Sequence, residues 1–178
     1  MEHRAGRVLI PREEIAARTA DLGRAIDRDF AGRNPLLVGV LKGAVIFLAD
    51  LIRAIPAPIG IDFMGVSSYG ATTRSSGAVR LTADLSVSIE GRDVIIVEDI
   101  VDSGRTLGYL RRNFATRRPK SLSVCVLLDK IERREVDVKL DYVGFVIPDR
   151  FVVGYGFDFG GLYRSLPDIH VLEPPPRV

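Results

Sequence analysis

The stretch VIIVEDIVDSGRTL, residues 94 to 107, begins as an apolar run and then sets three carboxylates, Glu98, Asp99 and Asp102, ahead of a Ser-Gly-Arg-Thr turn. Its first half, extended to DVIIVEDI (93–100), reads as a strand buried on both faces, and LGYLRRNFATR (107–117) behind it as a helix. The same alternation repeats outward. SLSVCVLL (121–128) is a second apolar strand, and LLVGVL (36–41) is a third, followed by Lys42-Gly43 and a helical run, AVIFLADLIRAI (44–55). IGIDFMGVSSY (59–69) and AVRLTADL (78–85) read as strands on either side of a polar GATTRSSG segment, which the composition marks as a loop. From Pro11 to Phe30, Ile15, Leu22, Ile26 and Phe30 recur at helical spacing, with Glu13 and Glu14 in the first turn where the helix dipole favours them. Val/Ile/Leu strands separated by helices predict an α/β fold with a central, mostly parallel sheet covered on both faces.

The chain has 178 residues, 47% of them hydrophobic, enough for one domain with a substantial core. Its single cysteine, Cys125, lies inside an apolar strand, which excludes an internal disulfide and fits a reducing, cytoplasmic setting. The charged start MEHRAGRVLI lacks a signal-peptide core, and no apolar stretch approaches the roughly 20 residues that span a bilayer. A net charge of +2, from 25 basic and 23 acidic residues mixed along the chain, is no nucleic-acid footprint. A small ligand is therefore the expected partner, with neither nucleic acid nor membrane. The closing EPPPRV reads as a tail that does not pack, and His3 and His170, isolated near the ends, are given no catalytic or metal role.

In open α/β sheets, ligands bind beyond the carboxyl ends of the strands. Asp99 to Thr106 is such a turn. Where the helix begins, backbone N–H groups, the hydroxyls of Ser103 and Thr106 and the bare Gly104 suit a phosphate monoester. Neither a P-loop nor a dinucleotide fingerprint is present in the sequence. Glu98 and Asp99 suit hydrogen-bond donors such as sugar hydroxyls, or a Mg²⁺-borne pyrophosphate. A sugar phosphate satisfies both halves. Asp102 or Ser103 taken alone would serve equally as a helix cap before Leu107.

Two adjacent carboxylates after four apolar residues, followed by Asp-Ser-Gly-x-Thr, resemble the phosphoribosyl-pyrophosphate motif of the type I phosphoribosyltransferases. The LKG step (41–43), SSYG (67–70), LLDK (127–130), VGFVIPDRFVVGYGFD (143–158) and YRSLP (163–167) are similar to the hypoxanthine-guanine branch of that family. The resemblance runs from about Val8 to Ile169. It implies a single domain over 1–178, with a flexible loop over about 68–78 and a small base-recognition hood over about 145–170 with an N-terminal contribution. The implied reaction joins purine N9 to C1′ with loss of pyrophosphate, in a Mg²⁺-dependent homodimer or homotetramer.

By the same resemblance, Glu98 and Asp99 bind the ribose hydroxyls, with or through Mg²⁺. Asp102, Ser103, Gly104, Arg105 and Thr106 hold the 5′-phosphate, and Asp102 handles the proton on purine N7. Lys42 and Gly43 meet the pyrophosphate at a step that is commonly a cis peptide in this family. Arg164 and Arg134 resemble pyrophosphate-side arginines, with Arg133 a competing alignment for the latter. Ser68 and Tyr69 belong to the closing loop. Lys130 faces the purine 6-oxo group, Phe151 stacks on the ring, the Val152 backbone meets its pairing edge, and Asp158 is a further Mg²⁺ carboxylate. Two alternatives share the sugar-phosphate site: a phosphoribosyl-pyrophosphate-sensing regulator, and a transferase for xanthine or another base.

Overall fold

The computed structural model describes residues 3–68 and 79–174. In chain order its elements are β1 (Arg4–Ile10), α1 (Arg12–Asp29), β2 (Leu36–Leu41), α2 (Val45–Arg53), β3 (Gly60–Ser68), β4 (Val79–Ala83), β5 (Asp93–Val101), α3 (Arg105–Ala115), β6 (Ser121–Asp129), β7 (Tyr142–Val146), β8 (Val152–Val153) and β9 (Ile169–Glu173). Six strands form one sheet in the order β4-β3-β2-β5-β6-β7. All of its neighbours pair in parallel except β3 with β4, which are antiparallel.

Alternation along the central strands separates two cores. Leu37 of β2, Ile95 and Val97 of β5, and Cys125 and Leu127 of β6 face α1 and α2, where they meet Ile15, Leu22, Phe47, Leu48 and Leu51. Leu36 and Val38, Val94 and Ile96, and Val124 and Val126 face α3 and pack on Leu107, Leu110 and Phe114. A strand buried on both faces cannot alternate polar with apolar, which is why these runs read as continuous. Cys125 is fully buried, and desolvation pushes its thiol well above the usual range.

A second sheet of three strands, β1-β9-β8, is antiparallel throughout. Its first strand is missed by periodicity, because Arg4 and Arg7 interrupt the apolar pattern of RAGRVLI and it acquires a partner only at the far end of the chain. The C-terminal tail is shorter than expected. Glu173 pairs with Arg4 in the sheet, and the Pro174 carbonyl lies 2.8 Å from His3 Nδ1.

The helix after β5 also starts earlier than the periodicity predicts, at Arg105 rather than Leu107. Gly104 precedes it at a φ of 83°, where an L side chain would be strained, so the N-cap is a glycine and neither Asp102 nor Ser103 occupies it. Ser103 Oγ accepts a 3.3 Å bond from the Arg105 N–H. Among the described residues no helix is long and apolar enough to cross a membrane.

Candidate active site

Strand order locates the site before any side chain is considered. From β2 the chain crosses outward to β3, and from β5 it crosses the other way to β6, so the order reverses between two adjacent parallel strands. The crevice at such a reversal is where open α/β sheets bind ligands. The last rung joining β2 and β5 is Gly39 with Val97. Beyond it Lys42-Gly43 leave β2 and Glu98-Asp99 leave β5. The Leu41–Lys42 peptide is cis, and Lys42 is exposed.

Asp99 shares the strand face of Val97, toward α2, and Glu98 that of Ile96, toward α3. Asp99 lies so close to Gly43 that a Cβ there would overlap its carboxylate. Asp99 Oδ1 accepts a 2.8 Å bond from the Ile100 N–H. Glu98 lines a cavity of about 230 Å³ with Asp99, Asp102, Ser103, Gly104 and Thr106, and its buried Oε2 has no hydrogen-bond partner among the described residues. Desolvation, then the adjacent Asp99, pushes the Glu98 carboxyl well above its ordinary range. Asp99 is pushed up to about 6 by desolvation and by Asp158, against the opposing pull of backbone N–H groups and Arg164.

The loop from Ser103 to Thr106 rests on a segment far along the chain. The Ser103 carbonyl accepts bonds from Glu135 and Val136 N–H at 2.9 and 3.0 Å, and Arg105 turns its guanidinium to Glu135 at 2.6 Å. Arg134 is directed to the buried Asp129 carboxylate, and its Cδ stands beneath Gly104. The Arg134 side chain is thus packed under the loop. Arg133 sits with its Nε 3.0 Å from Asp102 Oδ1.

Neighbouring strands bring the expected purine side next to this loop. Val101 pairs with Asp129, and the Lys130 N–H donates to the Val101 carbonyl at 2.9 Å, so Asp102 and Lys130 emerge side by side. Lys130 is only 6% exposed, with its ammonium 3.5 Å from Asp149. Phe151 is 38% exposed and meets Phe159 edge to face at 5.7 Å, whereas its neighbour Val152 is buried in β8. The following turn carries three positive φ values, at Gly154, Tyr155 and Gly156, and a Cβ at Gly156 would overlap the Gly43 carbonyl. Arg164 closes the turn, donating to the Gly156 carbonyl at 2.5 Å and pairing with Asp158 at 2.6 Å.

Lys42, Gly43, Glu98, Asp99, Asp102 to Thr106 and Lys130 therefore lie around the carboxyl ends of β2, β5 and β6, Asp158 and Arg164 on the turn docked against them, and Phe151 and Val152 at β8, which leads into that turn. Ser68 ends β3, while Tyr69 and the expected loop to residue 78 lie outside the described residues. Sequence reading overlooks Asp149 and the Tyr155 hydroxyl, which donates to Asp50 Oδ2 on α2 at 2.7 Å. Both contacts join residues distant in the chain, and no local spacing signals them. His3 meets Phe159 with the rings tilted at 58° and centroids 4.5 Å apart, and His170 Nδ1 lies 2.9 Å from the Gly6 carbonyl.

Residues 11–159 match the family model of the phosphoribosyl transferase domain. The hypoxanthine-guanine phosphoribosyltransferase of Bacillus subtilis is 50% identical over 174 residues, which cover 98% of this chain and 97% of that protein. The chain belongs to this family. The same identity, over 94% of this chain, is found with the bifunctional protein TilS/HprT of Listeria monocytogenes, of whose length the match spans about a quarter (26%). A crystal structure of hypoxanthine phosphoribosyltransferase from Staphylococcus aureus superposes with a TM-score of 0.91 at 44% identity, covering 96% of this chain and 92% of that one. The fold is thus the type I phosphoribosyltransferase fold.

Mg²⁺ with phosphoribosyl pyrophosphate is a property of the phosphoribosyltransferase family, and the donor set here suits it. Among the described residues no three His, Cys, Asp or Glu gather into a cage. Mg²⁺ seldom needs one, since it retains waters and binds through one or two carboxylates together with substrate phosphates. Glu98 Oε2, buried without a partner, and Asp99, raised by burial, are acceptors awaiting such a charge or donor.

Protons held by this pair link stability to pH. Asp99 ionises near 4 when unfolded and near 6 when folded, so the folded protein binds more protons across that window and loses stability as pH rises through it. Asp99→Asn, which removes the charge and keeps an acceptor for Ile100, should raise the melting temperature of the ligand-free protein at about pH 7.5. The gain should shrink toward about pH 4.5. Thermal unfolding at both pH values checks this, and a variant less stable than its parent at the higher pH would contradict it.

Proposed function

We propose that this chain transfers the 5-phosphoribosyl group of phosphoribosyl pyrophosphate to N9 of hypoxanthine or guanine, giving IMP or GMP and pyrophosphate in purine salvage. The observation that carries the reading is the Glu98 carboxylate, which holds a buried acceptor without a donor at the mouth of a helix whose first N–H groups lack intrahelical acceptors. A phosphorylated sugar supplies hydroxyl donors to the first and a phosphate to the second. The names of close relatives that cover nearly their whole length support the same transfer.

In this reading the 5′-phosphate rests on Ser103, Gly104, Arg105 and Thr106, and Glu98 and Asp99 accept the ribose hydroxyls. Lys42, the Gly43 backbone and Arg164 receive the pyrophosphate. Mg²⁺ would be held with the pyrophosphate through Glu98 and Asp99, and a second ion through Asp158, and would supply charge neutralisation to the leaving group. The C1′–oxygen bond breaks as the C1′–N9 bond forms, through a state with positive charge on the sugar that needs electrostatic support rather than a covalent nucleophile. Asp102 takes the N7 proton, Lys130 donates to the 6-oxo group, Phe151 covers the ring and the Val152 backbone meets its pairing edge. The enzyme works in the cytoplasm as a homo-oligomer.

A spectrophotometric assay with phosphoribosyl pyrophosphate and Mg²⁺ tests the reading. Hypoxanthine and guanine should be consumed, EDTA should stop turnover, and adenine should react about 10⁴-fold more slowly because its 6-amino group leaves the buried Lys130 facing another donor. Adenine turnover comparable to that of hypoxanthine would overturn the base assignment, and full activity in EDTA would remove the metal. Lys130→Ala should raise KM for hypoxanthine far more than KM for phosphoribosyl pyrophosphate, and equal changes in both would take Lys130 out of base recognition. For assembly, α2 exposes Val45 (39%) and Ile46 (38%) opposite its buried face. Light scattering should return a multiple of the 19.6 kDa chain mass, and a monomer mass at micromolar concentration would refute the oligomer.

A further inference from the structure

Four charges of alternating sign run along one side of the expected purine pocket. Asp102 Oδ1 lies 3.0 Å from Arg133 Nε, Arg133 Nη1 lies 3.5 Å from Asp149 Oδ1, and that same oxygen lies 3.5 Å from Lys130 Nζ. Local backbone geometry builds the middle of this chain. The Arg133 N–H donates to the Lys130 carbonyl at 3.1 Å, closing a 3₁₀ turn that brings side chains three apart onto one side, so Lys130 and Arg133 reach a common carboxylate. Asp149 is brought to them by the turn between β7 and β8.

The chain's two ends are the groups that the proposed function sets against the base, Asp102 at N7 and Lys130 at the 6-oxo group. N7, whose proton Asp102 takes, and O6, an acceptor, are adjacent on one edge of a 6-oxopurine. Reading both at once requires Asp102, on the loop after β5, and Lys130, at the end of β6, to keep a fixed separation. We infer that Arg133 and Asp149 are positioning residues that set this separation, Arg133 acting through Asp102 and Asp149 acting through Lys130; the inference rests on the proposed base assignment.

Two details separate this role from an ordinary surface ion pair. Asp102 Oδ1 is itself buried and meets Arg133 by charge without hydrogen-bond geometry, so the guanidinium holds the carboxylate by this oxygen while the side chain as a whole stays 45% exposed. Lys130 is buried, and Asp149 is its ion-pair partner among the described residues. Arg133 and Asp149 are themselves half-exposed, and pairs of that kind add little to stability. Removing either should spare the fold and alter the chemistry.

The test is a set of double-mutant cycles read as kcat and as KM for hypoxanthine and for phosphoribosyl pyrophosphate, with circular dichroism to confirm folding. Arg133→Gln should lower kcat about 10- to 100-fold in the otherwise natural enzyme, the loss expected when a reacting group is misplaced. In an Asp102→Asn background the same change should cost less than about twofold, because the group it positions is already disabled. Asp149→Asn should raise KM for hypoxanthine about five- to tenfold and leave KM for phosphoribosyl pyrophosphate within about twofold, with the effect absent beside Lys130→Ala. Arg133→Lys, whose single ammonium cannot face both carboxylates, should recover only part of kcat. An equal kcat loss from Arg133→Gln in both backgrounds, or wild-type kinetics from both Arg133→Gln and Asp149→Asn, overturns the positioning role while the function stands. An unmodified enzyme inactive on hypoxanthine and guanine overturns the function, and this inference with it.

Discussion

The packing of Gly43 between a carboxylate and a neighbouring turn sets the geometry of the site around it. Gly43 lies against the Asp99 carboxylate on one side, and on the other its carbonyl receives the Gly156 turn, with no room for a Cβ at either glycine. One residue therefore holds three parts of the molecule together: the end of β2, the end of β5 and the turn that follows β8. The φ of 98° at Gly156 allows the turn to come in at that angle. The Tyr155 hydroxyl then anchors the same turn to Asp50 on α2, so the turn is registered against the crevice by a steric contact at Gly43 and a hydrogen bond to the helix that follows it. A side chain at Gly43 would separate the pyrophosphate end of the proposed site from its carboxylates before it touched any ligand.

Charge is organised around that fixed point. Glu98 and Asp99 are brought together where β5 leaves its last rung with β2, and burial raises both toward the neutral form. Other acids near the site are compensated: Asp129 by Arg134, Asp158 by Arg164, and Glu135 by Arg105. Among the described residues Glu98 and Asp99 have no such ion-pair partner, and burial without one favours their neutral forms.

Much of this was legible in the sequence, for a physical reason. The strands of the main sheet are buried on both faces, so their continuous apolar runs announce them, and the Asp99–Thr106 loop is built from contiguous residues whose turn chemistry is local. β1 was not legible, because a strand with Arg4 and Arg7 on it becomes a strand only when β9 pairs with it. Asp149 and Arg133 illustrate the same limit in the site. Asp149 carries no signal in the sequence and Arg133 enters only as a competing alignment for a pyrophosphate-side arginine, and only the meeting of the β6 end with the β7–β8 turn makes them neighbours of Lys130 and Asp102. Phe151 lies between these cases: as an isolated aromatic it reads as core, whereas its exposure appears only once β8 has turned Val152 inward.

Cys125 has a use unrelated to its place in the core. It is the chain's single cysteine, it is fully buried, and its thiol is held in the unreactive protonated form. The protein is thus already blank toward thiol-directed reagents, with no background cysteine to delete. A cysteine introduced at Leu162, which is 65% exposed on the hood, would be the sole reactive thiol. A fluorophore attached there would report on the turn around Leu162 in the otherwise unaltered molecule.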